Sequence, residues 1–200
     1  MLPSRRPDEV VVHLVRHGQS EWNVQGRLQG QSPAPGLTPL GREQARSAAE
    51  LLARRVNGPV ALVSSDLTRA RETAETVAAR LGVATRIDRG LREQGLGTLE
   101  GRLTRELRPE PTPDGVDVGD VRWGGGESLR DVHERVCDLL HRLLPTAPQH
   151  LVLISHGDTI RVLRAALAGS DHHALDWSTA IGNGWVRSVA VGRSAWSARS

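Results

Sequence analysis

The sequence predicts an α/β fold: a three-layer, doubly wound, mostly parallel sheet with helices on both faces and a lid-like insertion. Three observations point there. Short β-branched runs alternate with helical patterns, the order that parallel strands and crossover helices produce. Three polar segments, Arg16-His17-Gly18, Ser64-Ser65-Asp66 and Ser155-His156-Gly157, each follow such a run directly. Ligand-binding segments occupy that place at the carboxyl edge of an open sheet. The chain has 200 residues, 38% of them hydrophobic and 24% charged. That is a globular composition, long enough to bury a core without a metal or disulfide staple.

The elements follow in order. Residues 1–8 are expected to be a loose tail. Val10 to Val15 is a β-branched run and reads as a buried strand. Thr38 can cap a helix and Pro39 suits its first turn, while Ala45, Ala48, Ala49, Leu52 and Val56 recur at helical spacing. Asn57-Gly58-Pro59 stops that helix. Val60 to Val63 is a second strand. Asp66 is expected to cap a helix that runs to about Leu81 and ends at Gly82. Val83 to Ile87 is a third strand. Residues 95–126, rich in Gly, Pro and charge, read as an insertion over one face of the domain. Ser128 and Asp131 form a capping box for a helix through Leu144. His150 to Ile154 is a fourth strand, followed by a helix to about Leu167. Trp185 to Val191 is the last strand, and residues 192–200 look frayed. The whole reads as a single domain, 1–200.

Composition narrows the function. All 26 basic residues are arginine, and the formal net charge is only +3. Arginine is interleaved with Asp and Glu rather than clustered, and Phe and Tyr are absent. A nucleic-acid groove is therefore not expected. No apolar run is long enough for a membrane span. One cysteine excludes an internal disulfide framework. Pro7, Asp8 and Glu9 follow Arg5-Arg6, and the apolar stretch after them is short and holds His13, so export is not expected and a cytoplasmic location is.

The strand ends carry the chemistry. They bring together Arg16, His17 and His156, with Arg69 on the first turn of the helix after the second strand. Arginines and helix N-termini bind phosphoryl oxygens. A histidine in that field is either a cation that clamps phosphate or a neutral nucleophile that attacks phosphorus, and two histidines allow one of each.

The segment Leu14-Val15-Arg16-His17-Gly18-Gln19-Ser20-Glu21-Trp22-Asn23 resembles the signature of the histidine phosphatase superfamily, in its phosphoglycerate mutase-like branch. The likeness continues through Gly26-Arg27-Leu28-Gln29-Gly30, Leu37-Thr38-Pro39-Leu40-Gly41, Ser64 to Ala70, Leu91 to Gly101 and Ile154-Ser155-His156-Gly157. It covers roughly residues 10–190, with the insertion least similar. The resemblance implies that His17 is the nucleophile. Arg16, Arg69 and His156 would surround the phosphoryl group as three cations, with Asn23 and Gly157 as further substrate contacts. Glu93 would protonate the leaving oxygen and later take a proton from water. Transfer through nitrogen needs no metal and no cofactor where such groups neutralise the equatorial oxygens.

Departures from the family pattern are informative. The loop Gln31-Ser32-Pro33-Ala34-Pro35-Gly36 carries no acid, although many relatives have one there. Glu93-Gln94-Gly95 replaces the Glu-Arg-His of the mutases, which favours a phosphatase. Asp158 comes one place too late to serve as the acid of the acid-phosphatase branch, so Glu93 is the better candidate. The expected enzyme is thus a phosphatase of small-molecule phosphomonoesters, monomeric or homodimeric. A phosphotransferase or mutase, a phosphohistidine-protein phosphatase, and a non-catalytic phosphate-binding module are the alternatives. Arg105, Arg108, Arg122 and Trp123 in the insertion either read the non-reacting end of a substrate or form an ordinary solvated surface. Cys137 falls on the apolar stripe of its helix and reads as core.

Overall fold

The computed structural model describes residues 8–108 and 111–197. The expectation for residues 1–7 and 198–200 lies outside them. Five strands form one sheet: β1 (Glu9–Arg16), β2 (Val60–Ser64), β3 (Thr85–Ile87), β4 (His150–Ser155) and β5 (Val186–Gly192). Their order is β3-β2-β4-β1-β5. β1, β4, β2 and β3 pair in parallel, and β5 closes the β1 edge antiparallel. The predicted doubly wound α/β architecture is therefore present.

Two cores flank the sheet because successive side chains on a strand point to opposite faces. Val12 and Leu14 of β1, with Leu151 and Leu153 of β4, pack under α4 (Leu129–Leu143) and α5 (Gly157–Leu167). Val15, Val152, Ile154 and Leu62 pack under α2 (Pro39–Arg55) and α3 (Thr68–Leu81). Cys137 packs at the margin of the first core.

Local chemistry sets most element ends as the sequence suggests. Thr38 accepts from the Gly41 N–H at 3.0 Å with Pro39 at the first helical position, and Ser128 and Asp131 form the full capping box of α4. Asp66 does not cap α3. The N-cap is Leu67, without a side-chain bond, because the Asp66 carboxylate forms a fork with Arg92 at 2.8 and 2.6 Å. A charge-assisted bond contributes about 1.5–3 kcal/mol against ~1 kcal/mol for a cap, so the ion pair wins. β3 begins at Thr85, later than the sequence suggests, and pairs with β2 over three residues only. A short helix, α1 (Glu21–Gln25), escaped the sequence reading.

Residues 192–197 differ from the frayed end expected of them. Arg193 donates to the Ala147 carbonyl, His141 bonds the Trp196 carbonyl at 3.0 Å, and Ser194 Oγ donates to Asp8 at 2.8 Å. Within the insertion, Arg102 and Gly101 pair with Leu28 through the backbone. Further on, Arg130 grips Asp120 and His172 bonds Asp120 at 3.0 Å, while His173 lies 3.4 Å from Asp117. Residues 117–120 are thus fastened to α4 and to the 171–177 loop. Arg122 is spent on a bidentate pair with Asp131, and Arg105 and Arg108 are exposed.

One close contact fixes where α2 begins. A Cβ on Gly18 would fall 2.1 Å from the Gly41 carbonyl oxygen, and a Cβ on Gly41 would fall 2.0 Å from that of Gln19. Backbone faces backbone, so neither side can yield cheaply. Gly41→Ala is expected to cost about 1–3 kcal/mol, as overpacking does. A urea midpoint equal to wild type would refute the contact.

Candidate active site

Three strand ends stand level in the register. Arg16 pairs with Ser155, and Ser64 pairs with Ile154. The ladder continues one residue further on both sides, His17 N–H to the Ser155 carbonyl and Ser65 N–H to the Ile154 carbonyl, each at 3.0 Å. His17, Ser65 and His156 therefore leave the sheet together at its carboxyl edge. The His17 and His156 rings lie 5.1 Å apart, centroid to centroid.

His17 is 2% exposed. Its Nδ1 lies 2.7 Å from the Gly18 carbonyl. A carbonyl only accepts, so Nδ1 carries the proton and Nε2 is left with its lone pair. Burial first, then the charges of Arg69 and Arg16, push the His17 pKa well below the imidazole range. The ring is neutral near pH 7, with the nitrogen a nucleophile needs.

Two guanidinium groups flank it. Arg69, 1% exposed, is held by the Ser32 and Gly30 carbonyls at 3.1 and 2.8 Å. The loop that lacks an acid thus serves through its backbone. Burial lowers the Arg69 pKa to about 10, which leaves it charged at neutral pH. Arg16 donates to the Ile181 carbonyl. Arg16 Nε, Arg69 Nε and His156 Nδ1 are buried and have no hydrogen-bond partner among the described residues. Buried donors of this kind mark a place built for an acceptor.

Glu93 sits over the start of α5. Its Oε1 accepts from the Thr159 N–H at 3.1 Å and lies 3.1 Å from the Thr159 hydroxyl, which donates to the Arg92 carbonyl at 2.7 Å; its Oε2 accepts from the Asp158 N–H at 3.3 Å. Gly157 lies where Glu93 and Arg16 converge: a Cβ there would stand 3.8 Å from Glu93 Oε2 and 3.7 Å from Arg16 Cζ. Asn23 Oδ1 accepts from Ser20 N–H and from Asn183 Nδ2, at 3.0 and 3.1 Å. Its amide nitrogen is then the end left to donate. Arg16, His17, Asn23, Arg69, Glu93, His156 and Gly157 are thus linked at this edge, whereas Arg122 is bound to Asp131 and Arg105 and Arg108 are exposed.

Several partners escaped the sequence reading. Asn183 bonds both the His17 carbonyl and Asn23, Thr159 holds Glu93, and Gln31 joins Arg92, the Glu93 carbonyl and Glu127. Only the Gly182-Asn183-Gly184 pattern hinted at a tight functional loop.

Without a phosphoryl group in the site, His156 is not a cation. Burial, then Arg69 and His17, hold its pKa well below the ordinary value, so it is a neutral ring near pH 7. This has a consequence for stability. Below about pH 6.5 the unfolded chain protonates His17 and His156 while the fold keeps both neutral, so the unfolded state gains protons and stability falls. The slope is up to ~1.4 kcal/mol per pH unit for each ring. Asp158 opposes this. Partial burial first, and the Glu93 charge second, raise its pKa to about 6, so it stabilises the fold as pH drops through 6. Its side chain is 45% exposed, and solvent screening makes that contribution the smaller one. The urea midpoint is expected to fall from pH 7 to pH 5, less steeply in His156→Gln. A flat wild-type profile would contradict this.

An open α/β sheet with buried imidazoles and unpartnered guanidinium donors at its carboxyl edge is the framework of a phosphoryl-handling enzyme. The chain belongs to the histidine phosphatase superfamily, branch 1, whose family model matches residues 12–200. It is a histidine phosphatase, of the phosphoric monoester hydrolase class. It is 40% identical to glucosyl-3-phosphoglycerate phosphatase of Mycolicibacterium vanbaalenii over 169 residues, 78% of this chain and 73% of that one. It is 32% identical to "Probable phosphoglycerate mutase GpmB" of Serratia proteamaculans, covering 90% of this chain and 91% of that one. Among solved structures, a mycobacterial glucosyl-3-phosphoglycerate phosphatase in complex with VO3 superposes with a TM-score of 0.78 and 33% identity, covering 90% and 92% of the two chains. No helix among the described residues is long and apolar enough to cross a membrane.

Proposed function

We propose that the chain hydrolyses small phosphomonoesters in two steps through a phosphohistidine on His17. The observation that carries this is the His17 ring: Nδ1 is committed to Gly18, which leaves the lone pair on Nε2, and the ring stands beside Arg16, Arg69 and His156. In the first step Nε2 attacks phosphorus, the P–O bond to the leaving group breaks, and Glu93 gives that oxygen a proton. In the second, water attacks phosphorus, Glu93 takes its proton, the N–P bond breaks and inorganic phosphate leaves. Arg16, Arg69, His156 and the Asn23 amide bind the equatorial oxygens, and Gly157, at the start of α5, is a further substrate contact. No step calls for a metal or cofactor.

The relatives' names support a phosphate ester on a glycerate- or sugar-type alcohol as substrate. The insertion at 95–126 would wall the leaving-group side of the site. A single domain over 1–200, a cytoplasmic location, and action on a free small molecule rather than nucleic acid belong to the same proposal. The interleaved charges support the last of these. The mutase reading is weaker, because Glu93-Gln94-Gly95 stands where mutases carry Glu-Arg-His.

Phosphate release from an aryl phosphate in EDTA tests the reading. Turnover is expected. Turnover that appears only on adding a divalent metal would overturn the metal-free mechanism. Exchange of phosphate between two positions of a glycerate without release would favour the mutase.

A further inference from the structure

His156 is wholly buried and, among the described residues, its ring makes one bond, Nε2 to Ser65 Oγ at 3.0 Å, while its Nδ1 has no partner. Ser65 is itself wholly buried, and its Oγ also lies 3.3 Å from the Leu67 backbone nitrogen. An N–H can only donate, so Ser65 Oγ accepts from Leu67. Among the described residues, one acceptor then remains for the Ser65 hydroxyl proton: His156 Nε2. That nitrogen must offer a lone pair, and a neutral ring places its single proton on Nδ1. The opposite arrangement, with Nε2–H donating to Ser65, would leave a buried hydroxyl proton without a partner. It would also turn a lone pair toward the phosphoryl site. A buried polar group left unsatisfied keeps its full desolvation penalty.

We propose that Ser65 is a positioning residue: its hydroxyl fixes His156 as the Nδ1–H tautomer, so that a phosphoryl oxygen held by Arg16 and Arg69 meets a donor rather than a lone pair. The proposal deepens the phosphatase reading and rests on it. The two site histidines then share one tautomer and do opposite work. His17 turns its protonated Nδ1 to the Gly18 carbonyl and presents Nε2 to phosphorus. His156 turns Nε2 to Ser65 and presents Nδ1–H to oxygen. The difference comes from what each strand exit offers, a carbonyl beside one ring and a hydroxyl beside the other. Burial and the neighbouring Arg69 keep both rings neutral, so the tautomer, not the charge, decides what each can do.

Nitrogen-15 NMR of the histidine-labelled wild-type protein without phosphate, near neutral pH, tests this directly. The His156 signals are identified by their loss in His156→Gln. Nδ1 is expected at a protonated shift and Nε2 at an unprotonated one. The reverse pattern overturns the proposal, whatever the activity of the enzyme. In Ser65→Ala the His156 pattern should shift toward Nε2–H or toward exchange between tautomers. Affinity for inorganic phosphate should fall about 10- to 100-fold, the range for a bond to a charged group. An unchanged His156 pattern in that variant also overturns it. Should Ser65→Ala fail to fold, the wild-type spectrum alone decides. Failure of catalysis in the wild type, with Nδ1–H found on His156, would instead count against the phosphatase reading and leave the tautomer assignment standing.

Discussion

His17→Ala is expected to abolish turnover, with kcat reduced by roughly 10^4-fold or more, as removal of an attacking nucleophile does. The reason lies in how much of the site converges on one atom. Gly18 fixes the tautomer, the β1–β4 ladder fixes the backbone through the His17 N–H, and Asn183 holds the His17 carbonyl. Nothing else in the site presents an imidazole lone pair to phosphorus if His156 is the Nδ1–H tautomer. A phosphorylated wild-type protein should be trapped by quenching with labelled substrate, and the variant should carry no label. The fold should survive, because the ring's one hydrogen bond runs to its neighbouring residue. Retained turnover with wild-type leaving-group dependence would mean that water attacks directly and that His17 only binds.

The sequence carried the site further than it carried the site's supports, and the reason is physical. Arg16, His17, Arg69 and His156 lie within a few residues of strand exits, and an open parallel sheet brings those exits to one edge whatever the loops do. Local pattern therefore became tertiary position. Asn183, Thr159 and Ser65 act through partners 160, 66 and 91 residues away. Each is an ordinary small polar residue in its own neighbourhood, and only the folded chain shows what it holds.

The misread elements have the same origin. Asp66 has every local mark of a cap, but Arg92, 26 residues later, competes for its carboxylate and wins. His172 is likewise tied to Asp120 across 52 residues, a partner its own neighbourhood does not announce. The helices α2 and α4 were legible because their caps lie within three residues of their own helix. The helix α1 escaped despite an equally local capping box, Ser20 with Asn23, because five residues are too few to show a helical period.

Glu93→Gln is the second large effect, and it should depend on the substrate. An alkoxide is a poor leaving group and needs a proton as the P–O bond breaks. An activated aryl oxide leaves without one. General acid catalysis contributes roughly 10^2–10^4-fold. The variant should lose about that much on an alkyl phosphate and much less on a dinitrophenyl phosphate. Geometry offers one rival for the role. Asp158 neighbours the same helix start, its carboxyl lies 3.7 Å from Arg161, and its pKa of about 6 suits proton transfer near neutral pH. Yet it is Glu93 whose two oxygens are oriented by Thr159 and Asp158 N–H groups, and Glu93 that meets Arg16 across Gly157. Asp158→Asn should therefore slow both substrates alike and modestly, by altering the field at Glu93. If the leaving-group dependence appears in Asp158→Asn and not in Glu93→Gln, the proton belongs to Asp158, and Glu93 is reduced to a brace for α5.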